Sequence, residues 1–314
     1  MFELSVVVTT YNQERYIGKA LTSVLAQVGA PLEIVVSDDL STDNTWQLIR
    51  EVAAGYAGPH KLVIHRQERN LGAVDNLRWA IDRSTAPWIM LADGDDLSMP
   101  ERAQVLMNAA KATKATLVSS NAIEIDGEDK FLRHLVQKDH GKVGWVGIQQ
   151  LAANGWVPQV LGAAFAFDRQ LITEFGHLDS GTLWAGGDHV LPIRAALMGG
   201  VLFVGKPLMC WRRHTEQATA AIQGLDSDKR VRGLGNLEHN LMGVCQSLRD
   251  LDHWQKSHPD DKKAKLTRDI LMRRLQAITD HWSRFKAELY RDGIVTRYQQ
   301  RGAASSQPKT DVSD

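Results

Sequence analysis

The amino-acid sequence predicts an α/β fold with a mostly parallel sheet, followed by a helical C-terminal region. Short, continuous apolar runs alternate with segments whose apolar residues recur at helical spacing, which is typical of buried parallel strands joined by helices. Acidic or polar residues end most of these runs, as expected where the strands of such a sheet end beside a ligand. Beyond about residue 216, the sequence shows mainly helical patterns.

Four strand–helix units come first. Their strands are predicted at 4–9, 32–37, 61–65 and 88–92. Consecutive units of this kind predict a doubly wound parallel sheet, in which the carboxyl ends of the strands share one crevice. Four residues that follow or end these strands should line that crevice: Tyr11, Asp39, Asn70 and Asp93.

The segment that follows is less regular. A helix is predicted at 101–112, and further strands at 116–120, 201–204 and 208–211. Residues 126–145 are polar and contain glycines, so an irregular, mobile segment is expected there.

Composition excludes several classes of function. Of 314 residues, 37 are Lys or Arg and 37 are Asp or Glu, so no net charge attracts nucleic acid. The two cysteines lack metal-type spacing and fit a reducing cytoplasm. Neither a dinucleotide fingerprint nor a P-loop follows a strand, and no apolar segment approaches the length of a membrane span. We therefore expect a cytoplasmic protein without a nucleic-acid partner.

The densest group of acids lies in the sequence MLADGDDLSMP at 90–100. Gly94 separates Asp93 from Asp95, and its conformational freedom should let the chain turn sharply so that both carboxylates converge. Convergent carboxylates repel each other unless a cation lies between them, and a divalent cation held by a substrate's phosphates is the usual solution. The alternative is an acidic turn in which Asp96 or a nearby serine caps the next helix.

Six segments carry further motifs. They are VVVTTYNQERYI at 6–17, EIVVSDDLSTDNT at 33–45, RNLG at 69–72 with Asn76, MLADGDDLSMP at 90–100, GGDHVLPIRAALMGG at 186–200, and WRRH at 211–214. In order and spacing they resemble the family 2 glycosyltransferases. The resemblance implies a catalytic domain of the GT-A fold over residues 1–215, a Rossmann-like sheet flanked by helices. It also implies inverting, metal-dependent transfer of a sugar from a nucleotide diphosphate donor.

The resemblance assigns roles to the matching positions. Three residues correspond to those that hold the nucleobase and ribose: Thr9, Tyr11 and Asp39. Four more are assigned to the same nucleotide-sugar site: Asn12, Asn70, Asp93 and Gly94. Asp95 and His214 are expected to bind Mn²⁺ or Mg²⁺, and Asp188 is expected to be the general base. Two positions depart from the family, because Gly187 stands where Glu is frequent and Leu40 where glycine is common.

Asp188 lies in a glycine loop at the predicted start of a helix. A helix N-terminus favours the charged form of a carboxyl group, so a lowered pKa is expected. Such a carboxylate is ionised at neutral pH and ready to accept a proton. On position alone, Asp188 could instead simply cap the helix.

The resemblance favours UDP or dTDP sugars as donors and a hydroxyl of a saccharide or lipid-linked saccharide as the acceptor, in the synthesis of cell-surface polysaccharide or lipopolysaccharide. Two alternatives stay open. A nucleotidyltransferase can share a similar sheet and similar acids, but it would release pyrophosphate from a nucleoside triphosphate. A catalytically silent nucleotide-sugar-binding protein would bind the donor without turnover.

The C-terminal part is predicted to be helical over 216–301 and disordered over 302–314, which is small and polar. In the helix at 261–291, six apolar residues recur every three or four positions: Leu271, Leu275, Ile278, Trp282, Phe285 and Leu289. This seam is expected to pack on another helix, either in the same chain or in a second copy. Lys and Arg outnumber acids here, so the alternative is peripheral contact with the anionic inner face of the cell membrane, where a lipid-linked acceptor would lie.

Overall fold

The computed structural model describes residues 1–137, 141–154, 157–179, 188–214 and 229–291. Within these residues, helices flank one mixed sheet, and two long helices follow it. The predicted tail at 302–314 lies outside the described residues, as does Gly187.

The first half of the fold consists of the four predicted strand–helix units. Its strands are β1 (Leu4–Thr10), β2 (Glu33–Asp38), β3 (Lys61–Arg66), β4 (Trp88–Asp93) and the short β5 (Leu97–Ser98). Its helices are α1 (Ile17–Leu25), α2 (Thr45–Gly55), α3 (Ala73–Arg83) and α4 (Arg102–Thr113). The apolar runs of β1, β2 and β4 are almost completely buried, as their composition predicts.

The second half adds further strands and two layers of helix. Its strands are β6 (Leu117–Asp126), β7 (Phe131–His134), β8 (Val143–Val146), β9 (Phe165–Asp168) and β10 (Val201–Arg213). Its helices are α5 (Ile148–Asn154), a 3₁₀ turn (Gly162–Ala164), α6 (Gln170–Phe175), α7 (Leu191–Met198), α8 (Lys229–Ser257) and α9 (Lys262–Arg291).

The strand order is β3-β2-β1-β4-β9-β6-β10-β5, with β7 paired to β6 and β8 paired to β10. Strands β3, β2, β1 and β4 are parallel, whereas β9 runs antiparallel to both β4 and β6. The sheet is therefore mostly parallel on one side and mixed on the other. Thr9 lies opposite Ser37 and Asp93, so the carboxyl ends of β1, β2 and β4 meet at one edge, as predicted.

Two predictions about the second half were wrong. Residues 126–145 were expected to be irregular, but they include β7 and β8. Several side chains of these strands are exposed, so they leave no buried apolar run in the sequence. The strands predicted at 201–204 and 208–211 are one strand, β10. Its pairing register with β6 shifts on either side of Pro207, which indicates a bulge that bends the strand without ending it.

The first three residues of the apolar seam of α9 face inward. Leu271 and Ile278 are buried and Leu275 is partly buried, in a core that also contains Val244 and Leu251 of α8. This part of the seam therefore packs within the chain. The side chain of Leu289 lies outside the described residues, and self-association through this helix stays a prediction.

Some of the basic residues of α9 also have internal partners. Lys263 donates to the carbonyl of Ala196, Arg268 pairs with Asp252, and Arg274 donates to Asn240. Contact with a membrane surface stays a prediction. Among the residues described, no helix has the length and apolar character needed to cross a bilayer.

Candidate active site

The loop after β4 is held tightly against the loop after β1. The Gly94 N–H donates to the carbonyl of Thr9 at 3.0 Å. A Cβ atom at Gly94 would lie 2.3 Å from Gln13 Oε1 and 2.6 Å from Thr10 Oγ1. The φ angle of Gly94 is not left-handed. The glycine is therefore required for this close approach, and the expected dependence on an unusual backbone conformation was wrong.

Three carboxylates converge beside this loop, and we call Asp93, Asp95 and Asp96 the acid cluster. One oxygen from each lies within 4.8 Å of the others. Asp96 accepts a hydrogen bond from the Arg212 N–H through Oδ1 at 2.8 Å, but its buried Oδ2 has no hydrogen-bond partner among the described residues. In the part of the chain that the structure describes, no side chain caps helix α4, so the capping role considered for Asp96 is not seen.

Two carboxyls of the acid cluster, those of Asp93 and Asp96, have raised pKa values. The Asp93 carboxyl is open to solvent on one side, but the surrounding protein removes much of its hydration, and the charges of Asp95 and Asp188 add to this effect. Together they raise the pKa of Asp93 to about 7. Burial, followed by the same kind of repulsion from Asp95 and Asp93, raises the pKa of Asp96 well above its ordinary range. The buried guanidinium of Arg102 partly offsets both effects.

This donor set fits a divalent cation. Carboxylate oxygens are the ligands that Mg²⁺, and to a large extent Mn²⁺, prefer. The unpartnered Oδ2 of Asp96 is a buried acceptor, and such an atom is unfavourable unless a donor or a cation satisfies it. Sequence reasoning assigned Asp95 to the metal and considered Asp96 only as a helix cap.

His214 lies beside the acid cluster. Its Nε2 is 2.9 Å from Asp95 Oδ2, and its ring contacts that of Tyr16, with centroids 4.6 Å apart. The group of mutually close ligand atoms found among the described residues consists of the three aspartates and does not include His214. A histidine in this position can orient a ligating carboxylate. Direct binding of a metal by His214 stays a prediction.

Arg212 supports the acid cluster from the interior. Its side chain is 1% exposed, and its Nε donates to the Asp95 carbonyl at 2.7 Å. Its Nη1 donates to the Asp126 carbonyl and also pairs with Asp129. This buried cation joins β10 to the loop that carries the acids.

Asp188 lies in the turn that precedes α7. The N–H of Gly162 donates to its carboxylate, and a Cβ at Gly162 would lie only 1.9 Å from Asp188 Oδ1. Glycine is thus needed at position 162 to admit the carboxylate. Asp188 is close enough to the acid cluster for its charge to raise the pKa of Asp93.

The expected effect of the helix start on Asp188 was wrong in sign. Helix α7 begins at Leu191, three positions after Asp188, and no side chain of the described residues caps it. Burial outweighs the hydrogen bond from Gly162 and raises the pKa of Asp188 to about 6. The carboxylate is still mostly ionised at pH 7, and it is a stronger base than an ordinary aspartate.

Asp39 has a different environment. It is buried, and its carboxylate accepts hydrogen bonds from the N–H groups of Leu71 at 2.7 Å and Gly72 at 2.9 Å. Its backbone carbonyl accepts a hydrogen bond from Asn70 Nδ2. Burial raises its pKa, and the two backbone hydrogen bonds oppose that change. Asp39 therefore anchors the loop before α3 at the edge of the sheet.

The loops that follow β1 and β2 are also joined. Asn12, with a φ of +52°, accepts a hydrogen bond from the Thr42 N–H and donates its own N–H to Ser41 Oγ. Tyr11, in contrast, is 46% exposed, and Thr9 is half-buried. The structure thus gathers the predicted nucleotide-site residues at one edge, and contact of each with a ligand stays a prediction.

Comparison with known families settles the class of protein. The sequence profile described as Glycosyl transferase family 2 matches residues 5–176, more than half of the chain. The chain belongs to this family. The resemblance inferred from the six motifs is thereby confirmed.

The proteins similar to this chain include one curated relative and two solved structures. EpsE of Bacillus subtilis (strain 168) is 34% identical over 100 residues, which are 32% of this chain and 35% of EpsE, so the match spans about a third of that relative's length. S. aureus TarS 1-349 in complex with UDP has a TM-score of 0.58 at 16% identity, with 93% of this chain and 92% of that chain covered.

The second structure is the mannosyltransferase PcManGT from Pyrobaculum calidifontis, in complex with GDP-Man and Mn²⁺. It has a TM-score of 0.58 at 19% identity, with 98% of this chain and 81% of that chain covered. At such identities the likeness establishes the fold alone. It confirms the predicted GT-A architecture of this family 2 glycosyltransferase.

Proposed function

We propose that this glycosyltransferase transfers a sugar, with inversion, from a nucleoside diphosphate donor to a hydroxyl of a saccharide or lipid-linked saccharide in the synthesis of cell-surface polysaccharide or lipopolysaccharide. The observation that carries this proposal is the convergence of Asp188 with the acid cluster. Asp188 lies close enough to the acid cluster for its charge to act on Asp93, at the edge where the parallel strands end.

The acid cluster would hold a divalent cation through Asp95 and Asp96, with Asp93 nearest the solvent. Such an ion, Mn²⁺ or Mg²⁺, supplies Lewis-acid stabilisation of the departing diphosphate. His214 contacts the Asp95 carboxylate and Arg212 donates to the Asp95 carbonyl, so both hold Asp95 in place. The PcManGT complex contains Mn²⁺, which supports a role for a metal ion in the protein described here.

Asp188 would act on the acceptor. Its carboxylate removes the proton of the acceptor hydroxyl while that oxygen forms a bond to the anomeric carbon. The bond from that carbon to the diphosphate oxygen breaks on the opposite side, and both electrons leave with the nucleoside diphosphate. One displacement inverts the anomeric centre, so no covalent enzyme intermediate is required.

The nucleotide would lie over the loops that follow β1, β2 and β3. Tyr11 is exposed there and offers an aromatic face to a base. Thr9, Asn12, Asp39, Asn70 and Gly94 shape the surrounding loops. We propose a UDP or dTDP sugar as the donor. TarS was solved with UDP and PcManGT with GDP-Man, so guanosine donors belong in any test.

A donor screen tests the proposal. Purified protein would be mixed with UDP, dTDP and GDP sugars, with Mn²⁺, with Mg²⁺ or with EDTA, and its melting temperature and release of nucleoside diphosphate would be measured. A ligand that binds only the native state raises the melting temperature. We expect one donor class to do so in the presence of metal and to release nucleoside diphosphate when acceptor is added.

The same assay separates the alternatives. Pyrophosphate release from a nucleoside triphosphate would indicate a nucleotidyltransferase. Donor binding without turnover on any acceptor would indicate a silent binding protein. Full turnover in excess EDTA would contradict the metal role.

A further inference from the structure

Helix α7 connects the proposed general base to the C-terminal helices. Asp188 lies in the turn that leads into α7, and α7 contacts α8. Three contacts, spaced along the turn and α7, join this segment to α8 and α9. Each involves a residue at which a small change in packing has a measurable consequence.

The first contact lies next to the base. His189, adjacent to Asp188, is buried against Gly243 of α8. A Cβ atom at Gly243 would lie 3.1 Å from His189 Cβ, which is closer than ordinary van der Waals contact. The absence of a side chain at position 243 therefore sets how closely α8 approaches the turn that carries Asp188.

The second contact is a buried ion pair in the middle of α7. Arg194 is completely buried, and its Nε and Nη2 donate to the two carboxylate oxygens of Asp250 on α8, at 2.7 and 3.1 Å. Gln246 Nε2 also donates to Asp250. Arg194 Nη1 donates to the Gly176 carbonyl after α6. A bidentate, fully desolvated pair permits little sliding of α7 along α8.

The third contact is made near the C-terminal end of α7. Lys263 Nζ, near the start of α9, donates to the carbonyl of Ala196 at 2.9 Å. Gly243, Gln246 and Asp250 recur at spacings of three and four, so one face of α8 forms the contacts with the turn and with Arg194.

We propose that α8 is a positioning element of the active site. Through Gly243 and Asp250 it fixes the turn before α7, and thereby the position of the Asp188 carboxylate beside the acid cluster. Gly243 and Asp250 act through His189 and Arg194 and touch no substrate. The inference rests on the proposed role of Asp188 as the general base.

The sharpest test is Gly243→Ala. An alanine in a helix interior favours the helix by about 1 kcal/mol, which offsets part of the cost of the overlap with His189, so the variant should stay folded. Its methyl group must displace His189 by a few tenths of an ångström. Since an error of 1 Å in a reacting group can cost about a hundredfold, we expect kcat to fall at least about fivefold, while donor binding is unchanged.

The matched control is Gly18→Ala in α1, where a Cβ atom would have no neighbour within 4 Å. It should keep the wild-type kcat. If Gly243→Ala also keeps the wild-type kcat, α8 does not position Asp188 and the inference is overturned.

A second pair of variants tests the ion pair. Asp250→Asn keeps the shape of the side chain but leaves Arg194 as a buried, uncompensated charge. We expect a loss of kcat of about tenfold or more, with donor binding near the wild-type value. Asp252→Asn, two positions along α8, alters an exposed pair with Arg268 and should leave kcat unchanged. Equal kcat values for the two variants would contradict the inference.

These outcomes are separable from failure of the proposed function. If wild-type protein shows no transfer with any donor, or if Asp188→Asn transfers as fast as wild type, the proposed function fails. If wild-type protein is active, Asp188→Asn is slow, and both Gly243→Ala and Asp250→Asn are fully active, only the positioning role of α8 fails.

Discussion

Two acids at the same edge of the sheet, Asp39 and Asp96, have opposite hydrogen-bonding environments. Asp39, after β2, has both carboxylate oxygens engaged by backbone N–H groups of the loop before α3. Asp96, after β4, has one oxygen bound to the Arg212 N–H and a buried oxygen without a partner among the described residues. The first arrangement is complete without a ligand, whereas the second leaves a buried oxygen that a proton or a cation must satisfy.

The difference distinguishes the part of the edge that builds the loops from the part that we propose does chemistry. Buried polar groups are normally satisfied, so an unpartnered acid oxygen beside groups with raised pKa values indicates a functional site. Asp39 and Asn12 tie loops together, whereas one buried oxygen of Asp96 has no partner among the described residues, and burial disfavours the charged forms of Asp93 and Asp188.

The largest effect is expected from Asp95→Asn. A neutral amide is a poorer ligand for Mg²⁺ or Mn²⁺, so the Lewis-acid contribution of several kcal/mol should be lost, and turnover should fall at least about a hundredfold. Isothermal titration with Mn²⁺ should show weaker binding than in wild-type protein. Mn²⁺ affinity equal to that of wild type would place the metal elsewhere.

The second prediction concerns pH. The raised pKa values of Asp93, about 7, and of Asp188, about 6, mean that the folded protein holds protons that the unfolded chain releases from about pH 4 upward. Metal-free protein should therefore lose stability as the pH rises from 5 to 7.5. Urea unfolding at both pH values measures the change.

A cation bound only by the native state should restore part of this stability. Mn²⁺ should thus raise the urea midpoint more at pH 7.5 than at pH 5. Asp96→Asn removes a carboxyl whose pKa is raised in the folded protein, and it should therefore reduce the loss. Metal-free stability that rises between pH 5 and 7.5 would show that the acid cluster is not under electrostatic strain.

The third prediction concerns Asp39, whose two carboxylate oxygens both accept backbone hydrogen bonds. Asp39→Asn can accept only one of the two backbone hydrogen bonds, and its amide N–H groups would face a backbone donor. Hydrogen bonds to charged groups contribute about 1.5–3 kcal/mol, so unfolding free energy should fall by about 2 kcal/mol. Urea unfolding checks the value. An unchanged midpoint would mean that Asp39 does not hold the loop and is free for a ligand.

The smallest effect concerns Leu40, which adopts a left-handed backbone with a φ of +59°. This conformation explains why glycine suits the position, and it is unfavourable by about 1–2 kcal/mol for other residues. Leu40→Ala keeps that strain and Leu40→Gly removes it. We expect the glycine variant to be the more stable by about 1 kcal/mol, the reverse of the usual order. Greater stability of the alanine variant would contradict this explanation.

Much of the fold could be predicted from local pattern. Strands β1, β2 and β4 are buried on both faces, so their sequences are continuously apolar. Strands β7 and β8 were missed because exposed residues carry no such signal, and the unity of β10 was missed because Pro207 interrupts its apolar run. Long α8 and α9 were predictable from their helical spacing, but their packing on α7 was not.

The site was predictable where a motif is local. Asp93, Asp95 and Asp188 lie in recognisable sequences, and the structure brings them together. Asp96 was misjudged because its spacing from a helix resembles a cap, while its partner Arg212 lies 116 positions away. Gly162 has no motif, and its role follows only from the approach of Asp188. The pKa of Asp188 was misjudged because burial cannot be read from its position before a helix.

The central claim is that Asp188 does chemistry whereas Asp39 builds the loops, and the same substitution at both positions tests it. Release of nucleoside diphosphate would be measured for wild type, Asp39→Asn and Asp188→Asn with donor, acceptor and Mn²⁺ at pH 7.5. We expect Asp188→Asn to bind donor and to unfold like wild type, yet to turn over at least about a hundredfold more slowly, as general-base catalysis predicts. Turnover of Asp188→Asn within a few-fold of wild type would contradict the account.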